Sequence, residues 1–294
     1  MQIRNVLVIV DKPKEDQIAL RRSLALRTDF GAHLHLVGFT YHPMYEQLDA
    51  FETDQRRALK RELMQARTEW LRGQVLDAGA GDADVKLQTV WAKDIVAWVA
   101  RTAAGKDFDL VVKSTHRSGS PERTPTDWRL LRDCPVPVLL TVRRRWSKKP
   151  IILATLDLNR HDRAHETLNR KVLDAAAEMA RAHTGVVHCV YAIEVSRVLA
   201  DLDIINPRKV AKEARERSSG VLKSLVAPYK IPASRIHMPI GKVGRVVNGT
   251  AKKLNADLLV VGTTARKGLK GLVIGNSAER VLTNSTRDIL ALKP

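Results

Sequence analysis

Residues 5–11 read NVLVIVD, and residues 151–157, in the second half of the chain, read IILATLD. Each is a short apolar run that ends in an aspartate. A polar turn and a stretch with helical periodicity follow each run, at 15–30 and at 163–184. A continuous apolar run of this length between amphipathic helices is typical of a strand buried on both faces of a parallel sheet. The two runs therefore predict the first strand of two copies of one α/β domain.

The rest of the chain continues the repeat in the same order, as expected of a duplicated domain. The remaining apolar runs pair as 32–39 with 185–193, 85–90 with 235–240, 109–117 with 257–266, and 135–142 with 287–293. This alternation of strands and helices predicts, in each copy, a five-stranded parallel sheet of flavodoxin-like or Rossmann-like build with helices on both faces. We assign the first domain to residues 1–143, a basic linker to residues 144–150 and the second domain to residues 151–294.

Composition limits the class of protein. A chain of 294 residues suits two domains that each bury a core. No apolar run is long enough to span a bilayer, and the first apolar run is too short for a signal peptide. The two cysteines, Cys134 and Cys189, lie in different halves, which argues against a disulfide framework or a paired-cysteine metal site. We therefore expect a cytoplasmic protein.

The charge favours anionic partners. Lys and Arg number 50 against 32 Asp and Glu, which gives a formal net charge of +18. Such a positive field attracts nucleotides, nucleic acid or acidic lipid, but it does not choose among them. The sequence RRRWSKKP at 143–150 is open to two interpretations, a solvated linker or a patch that binds phosphate or nucleic acid.

The stretch that carries ligand chemistry is GTTARKGLKGLVIGNSAERVL, residues 262–282. Gly262 directly follows the fourth apolar run of the second copy, and Gly275 opens a predicted helix. Glycines at these places let backbone N–H groups approach phosphate oxygens, and a helix N-terminus adds partial positive charge. Asn276 and Ser277 suit both helix capping and anion binding, and Arg266 adds positive charge. An ordinary loop with capping residues is the alternative.

This arrangement resembles the universal stress protein superfamily, whose nucleotide-binding members share G-x-x-G-x(9)-G-[S/T] at this place. Gly262 matches the first glycine, Ala265 stands at the second, Gly275 matches the third, and Asn276 and Ser277 follow. The segment TPTDWRLLRDCPVPV at 124–138 resembles the tandem, two-domain branch.

The resemblance implies an adenine nucleotide such as ATP, with Mg²⁺, in the second domain. It places Asp157 by the adenine and ribose, the main chain around Cys189 by the adenine, and Thr263 and Arg266 within the phosphate loop. It carries Asp11 over to the first domain as the counterpart of Asp157. Ala265 adds a Cβ and disfavours positive φ where the backbone passes close to a phosphate, so we expect weakened binding.

The first copy departs further from the pattern. Ser114 and Arg117 replace the first two glycines, and Thr124 lies near the place of the third, in a stretch three residues shorter. The first domain is therefore predicted to lack the phosphate cradle.

No catalytic residue is predicted. The chain has no G-x(4)-G-K-[S/T], G-x-S-x-G or H-E-x-x-H motif. His161 and His165 stand at i, i+4 without a third ligand, so no metal site is predicted either. Three functions remain open: a non-catalytic stress-response protein that binds an adenine nucleotide, a scaffold or regulator that binds none, and a basic protein that binds nucleic acid or acidic lipid.

The last strands bear on assembly. Single-domain relatives in this superfamily commonly dimerise through their last strands. By that resemblance, residues 135–142 and 287–293 are expected to pair as an internal pseudo-dimer that covers two sheet edges. A further homodimer is left open.

Overall fold

The computed structural model describes residues 2–43, 45, 53–81, 85–105, 108–115, 125–158, 162–194, 206–263, 265–268, 271–274, 281, 283 and 285–294. These residues form two compact units that meet in the chain at Arg143 and Arg144. We call the unit that ends at Arg143 the first domain, and the unit from Arg144 to Pro294 the second domain.

The first domain alternates strands and helices. Its strands are β1 (Asn5–Val10), β2 (His33–Thr40), β3 (Val85–Trp91), β4 (Leu110–Ser114) and β5 (Val138–Thr141). Its helices are α1 (Ile18–Phe30), α2 (Thr53–Asp77), α3 (Ile95–Gly105) and α4 (Pro125–Asp133). The strands lie in the order β3-β2-β1-β4-β5, and all neighbours are parallel. Right-handed crossovers in this order place helices on both faces of the sheet.

The second domain repeats the plan. Its sheet strands are β6 (Ile151–Leu156), β7 (Val186–Tyr191), β8 (Ile236–His237), β9 (Leu258–Gly262) and β12 (Asp288–Leu292). Its helices are α5 (Arg163–Ala182), α6 (Pro207–Val226) and α7 (Val243–Leu254), with 3₁₀ turns at Ala227–Tyr229 and Ala233–Arg235. The order β12-β9-β6-β7-β8, parallel throughout, corresponds strand for strand to that of the first domain. The predicted fold is confirmed.

Two segments differ from the prediction. The strand expected over 235–240 is paired only at Ile236–His237 and in a single bridge from Ile240 to Ile193. Pro239 interrupts this ladder because proline has no N–H to donate. The strand expected over 257–266 ends at Gly262, and a separate antiparallel hairpin follows, β10 (Ala265–Gly268) with β11 (Gly271–Ile274).

One aspartate before the fourth strand of each domain fixes the start of the first strand. Asp109 accepts the backbone N–H groups of Arg4 and Asn5, at 2.8 and 2.9 Å. Asp257 accepts the N–H of Ile151 at 3.0 Å. These equivalent contacts explain why both copies carry the sequence Asp-Leu directly before a buried run.

The basic segment after Arg143 packs on the second domain. Asp257 also accepts the backbone N–H and the hydroxyl of Ser147, at 3.1 and 2.8 Å. The Trp146 indole N–H donates to Asp288 at 2.9 Å, and its ring meets the ring of His183 edge to face. Arg144 donates to the side chain of Asn255 at 2.9 Å. The segment is therefore an ordered part of the second domain rather than a solvated linker.

Candidate functional site

The carboxyl ends of β6 and β9 bring two predicted site residues to neighbouring places. Asp157 directly follows β6, and Gly262 is the last residue of β9. The two strands are parallel neighbours, with Ile152 opposite Leu258 and Ala154 opposite Val260. The chain leaves β6 toward β7 on one side and returns to β9 on the other, so this is the switch point of the sheet, where open α/β sheets bind ligands.

The backbone of Asp157 is held from α5. The Asn169 side chain donates to the Asp157 carbonyl at 2.8 Å and accepts the Asp157 N–H at 3.0 Å. Asn169 is 6% exposed, whereas Asp157 is half-buried. Asn169 was not among the predicted site residues, although an asparagine among the buried Leu168, Val172 and Leu173 of one helix face was a usable signal.

Gly262 is required by packing. A Cβ at Gly262 would stand 2.7 Å from both Cγ and Cδ2 of Leu168 on α5. Contacts this short do not occur for real Cβ atoms, so β9 and α5 approach this closely because residue 262 has no side chain. Gly262 was predicted to serve phosphate binding alone. The structure adds a structural role for the same residue.

The substitution Gly262→Ala is expected to lower the free energy of unfolding by roughly 1–3 kcal/mol, the usual cost of overpacking a core. The double substitution Gly262→Ala/Leu168→Ala should recover part of that loss, because it removes the atoms that the new Cβ meets. Urea denaturation of the single and double variants measures the coupling. A loss of stability in the double variant equal to the sum of the losses in the two single variants would contradict this packing role of Gly262.

Thr263 makes its hydrogen bonds within the sheet. Its backbone N–H and its hydroxyl both donate to the Leu292 carbonyl, at 2.7 and 3.0 Å, and the residue is 3% exposed. Thr115 makes the same pair of bonds to the Thr141 carbonyl in the first domain, at 2.8 and 2.9 Å. The shared geometry indicates that this threonine closes the sheet in both copies, so neither of its two donors is directed at a ligand.

The predicted phosphate loop contains a hairpin. Ala265 pairs with Ile274 and Arg266 with Val273 in the antiparallel ladder of β10 and β11. The backbone at Ala265 is therefore that of a residue within a β-ladder. Gly275, Asn276 and Ser277, the other half of the predicted cradle, lie outside the described residues.

Cys189 is placed within β7 rather than at its end. It pairs with Ala154 on one side and Ile236 on the other, and it is 1% exposed. Burial raises the pKa of its thiol to about 12. The carboxyl end of β7 is instead Tyr191, whose pKa is raised by burial and further by the nearby Asp157 and Glu194 carboxylates. The structure thus brings Tyr191, not the Cys189 side chain, toward Asp157.

The first domain has a buried ion cluster at the equivalent place. Lys113 in β4 is 1% exposed, and its ammonium lies 3.2 Å from Asp11 and 3.1 Å from Asp127. It also donates to the Ser114 carbonyl at 2.8 Å. The corresponding residue of β9 is Val261. Asp11, the counterpart of Asp157, is therefore engaged by a lysine that the second domain lacks.

Asp127 completes this cluster from a helix end. It is fully buried and lies in the first turn of α4. A carboxylate in the first turn interacts favourably with the positive end of the helix, as a bound phosphate would. The first domain thus supplies its own anion there, which agrees with the predicted loss of its cradle. Of the residues that mark this loss in sequence, Ser114 accepts the N–H of Ala19 at 2.8 Å, whereas Arg117 and Thr124 lie outside the described residues.

The histidines do not assemble a metal site within the part of the chain that the structure describes. His165 contacts Asp162, the N-cap of α5, at 2.7 Å, and His161 lies outside that part. His188 and His237 stack with their planes 7° apart and share one hydrogen bond of 3.0 Å. Burial lowers the pKa of both rings, so the neutral forms that support this bond are favoured.

Among the described helices, none is both long and apolar enough to cross a bilayer.

Comparison with known proteins identifies the family. The family model described as "Universal stress protein family" matches residues 2–143 and 164–293. The chain belongs to the universal stress protein family. Curated relatives named Universal stress protein E, from Salmonella typhi and Escherichia coli K12, are each 29% identical over 301 residues. Each alignment covers 99% of this chain and 94% of the relative. The predicted family and its tandem form are therefore confirmed.

Solved structures agree with this universal stress protein fold. A putative universal stress protein from Pseudomonas aeruginosa UCBPP-PA14 is 27% identical, with a TM-score of 0.73 over 99% of this chain and 94% of that one. A functionally unknown protein from Pseudomonas aeruginosa PAO1 is 26% identical, with a TM-score of 0.74 over 99% and 93% of the two chains.

Proposed function

We propose that this chain is a stress-response protein that binds an adenine nucleotide through its second domain and carries no dedicated catalytic machinery. The observation that carries the proposal is the placement of Asp157 beside Gly262 at the carboxyl ends of β6 and β9. Ligands of open α/β sheets bind at such a switch point. The two residues stand where the universal stress protein pattern has its strand-terminal aspartate and its first loop glycine.

The described residues fit the ribose end of a nucleotide. Asp157 is half-buried, and Asn169 fixes its backbone, so the main chain that carries the carboxylate is held before a ligand arrives. Preorganisation of this kind lowers the entropy cost of binding. In this proposal the Asp157 carboxylate accepts hydrogen bonds from the ribose hydroxyls, and Tyr191 lies near that carboxylate.

The phosphates are assigned to the other side of the switch point. Gly262 leaves room for Leu168, and the Thr263 hydroxyl donates to the Leu292 carbonyl. Phosphate oxygens would therefore meet groups beyond these two residues. We propose Gly275, Asn276 and Ser277 as those contacts. Mg²⁺, where present, would neutralise part of the triphosphate charge.

The first domain is proposed not to bind a nucleotide. Asp11 would have to leave a buried lysine, and phosphates would have to displace the Asp127 carboxylate from the first turn of α4. Such an exchange is strongly disfavoured, because it would break a buried ion pair. Of the two switch points, only that of the second domain is expected to hold a nucleotide.

The proposal is tested by the thermal unfolding of the full chain with and without Mg·ATP. A ligand that binds only the folded state raises its stability by about 2.7 kcal/mol at 100 times the dissociation constant. We expect a rise in melting temperature for the unsubstituted chain and a smaller one for Asp157→Ala. Asp11→Asn, the matched change in the first domain, should keep the rise. The absence of any shift at millimolar Mg·ATP would overturn the proposal.

A further inference from the structure

A basic groove lies along α7 of the second domain, apart from the switch point. It has a volume of about 650 Å³ and is lined by α7 and by residues shortly before β12. Among the ten described residues that line it, four are cationic, Lys242, Arg245, Lys252 and Arg287, and none is acidic. Its size is that of a typical small-ligand site, and its charge selects for anions.

Arg287 is the buried end of this groove. It is 8% exposed, although it carries a permanent charge. Within the described part of the chain its guanidinium has neither a hydrogen bond nor an ion pair. Burial and the neighbouring Arg144 lower its pKa, and the attraction of Asp257 opposes this. Asp257, however, already accepts hydrogen bonds from Ser147 and Ile151.

None of the Arg287 side-chain nitrogens is both shut off from water and without a partner, so an anion in the groove would replace water there with charge-assisted hydrogen bonds. Arg287 lines the groove, so the groove is the route by which an anion would reach it. Arg287 therefore points to a ligand in a way that the exposed lysines by themselves do not.

The spacing of the exposed cations indicates which shape of anion the groove would bind. Lys242, Arg245 and Lys252 stand at i, i+3 and i+10, with Asn248 and Gly249 between them, so they follow one face of α7. At a rise of 1.5 Å per residue this stripe is about 15 Å long. One phosphate would meet only one end of it, whereas a linear chain of phosphates would follow its length.

The lining also argues against bases. None of the described lining residues is aromatic, so this part of the groove offers no ring on which a nucleobase would stack. Proteins that bind single-stranded nucleic acid combine a positive groove with such aromatic platforms. We propose that this groove is a second ligand site of the chain, for a linear oligophosphate without a base requirement.

Tripolyphosphate binding, measured by isothermal titration calorimetry on the full chain, tests the proposal. We expect Arg287→Met to weaken binding by about tenfold or more, because it removes a buried charge-assisted contact. Arg245→Gln/Lys252→Gln, an exposed pair on α7, should weaken it by about tenfold as well. Asp157→Ala should leave it unchanged, which separates this site from the nucleotide site.

A blocking variant covers the case in which Arg287→Met fails to fold. A Cβ at Gly249 would meet nothing within 4 Å, so Gly249→Leu is expected to extend a side chain into the groove that Gly249 lines. Leucine also favours a helix more than glycine does, so the melting temperature should not fall. We expect a folded protein with tripolyphosphate binding weakened by about tenfold.

Three kinds of result would overturn the proposal. The first is tripolyphosphate that does not bind the unsubstituted chain at millimolar concentration, or that binds Gly249→Leu equally well. The second is orthophosphate that binds as tightly as tripolyphosphate, since a single anion would then suffice. The third is a single-stranded oligonucleotide that binds more tightly than tripolyphosphate and is blocked by Gly249→Leu, since nucleic acid would then be the occupant.

Discussion

Lys113→Met is expected to destabilise the first domain by about 3–5 kcal/mol, the range seen when one partner of a buried ion pair is removed. The substitution leaves Asp127 fully buried without its cation, and it leaves Asp11 with only partial access to water. Methionine has a similar length, so loss of packing is a small part of the effect. Urea denaturation followed by tryptophan fluorescence measures it, because Trp70, Trp91, Trp98 and Trp128 lie in this domain.

Two controls separate charge from volume. Lys14→Met, at an exposed position of the same domain, should change the unfolding free energy by less than about 0.5 kcal/mol. Lys113→Met/Asp127→Leu should recover most of the loss, because apolar residues often replace a buried ion pair without cost. A Lys113→Met chain that unfolds at the same urea concentration as the unsubstituted chain would show that the cluster does not stabilise the fold.

Asp257→Ala is expected to destabilise the second domain by about 3 kcal/mol or more, because hydrogen bonds to a charged group contribute roughly 1.5–3 kcal/mol each. The 2% exposed carboxylate accepts three of them, two from Ser147 and one from Ile151. Without the carboxylate, those donors lose their acceptor. The segment at 144–150, which precedes β6, then loses the hydrogen bonds of Ser147 that hold it. Urea denaturation followed by circular dichroism measures the change.

Asp109→Ala is the matched control in the first domain. Asp109 occupies the same place in the repeat but accepts only two backbone N–H groups, from Arg4 and Asn5, nearer to solvent. We expect it to cost about half as much as Asp257→Ala, since water can replace exposed partners. A larger effect at Asp109 than at Asp257 would contradict the view that these aspartates act through their buried hydrogen bonds.

The fold was predictable because it depends on local patterns. Apolar runs such as NVLVIVD and IILATLD show where strands are buried on both faces, and the repeat shows that the order recurs. The length of the edge strand β8 was predicted wrongly. The apolar pattern of 235–240 continues through Pro239, which has no N–H to donate to the ladder. The hairpin at Ala265–Ile274 was missed because its residues carry the charge and glycine content of a loop.

The site was predictable only in outline. Topology rules place the ends of β6 and β9 side by side, and they therefore place Asp157 near Gly262. The contacts that decide what each residue does join distant parts of the chain. The contact with Leu168 explains why residue 262 is a glycine, and the hydrogen bonds from Asn169 explain how the backbone of Asp157 is held. Local periodicity in the sequence predicts neither contact.

The first domain shows the same limit. Lys113 stands inside an apolar run, and a lysine in a buried central strand requires carboxylates nearby. The sequence contains that signal, but only the fold reveals Asp11 and Asp127 as the partners. Once they are known, the divergence of the two copies has a physical reason: the first domain supplies within itself the cation and the anion that occupy its site.

Hydrogen–deuterium exchange of the full chain with and without Mg·ATP tests the central claim most directly, because it reports each domain separately. We expect protection at residues 157–169, which carry Asp157 and the α5 residues that hold it, and none at the equivalent residues 11–23 of the first domain. Equal protection of both segments, or protection of residues 11–23 alone, would contradict the account of one retained and one internally occupied site.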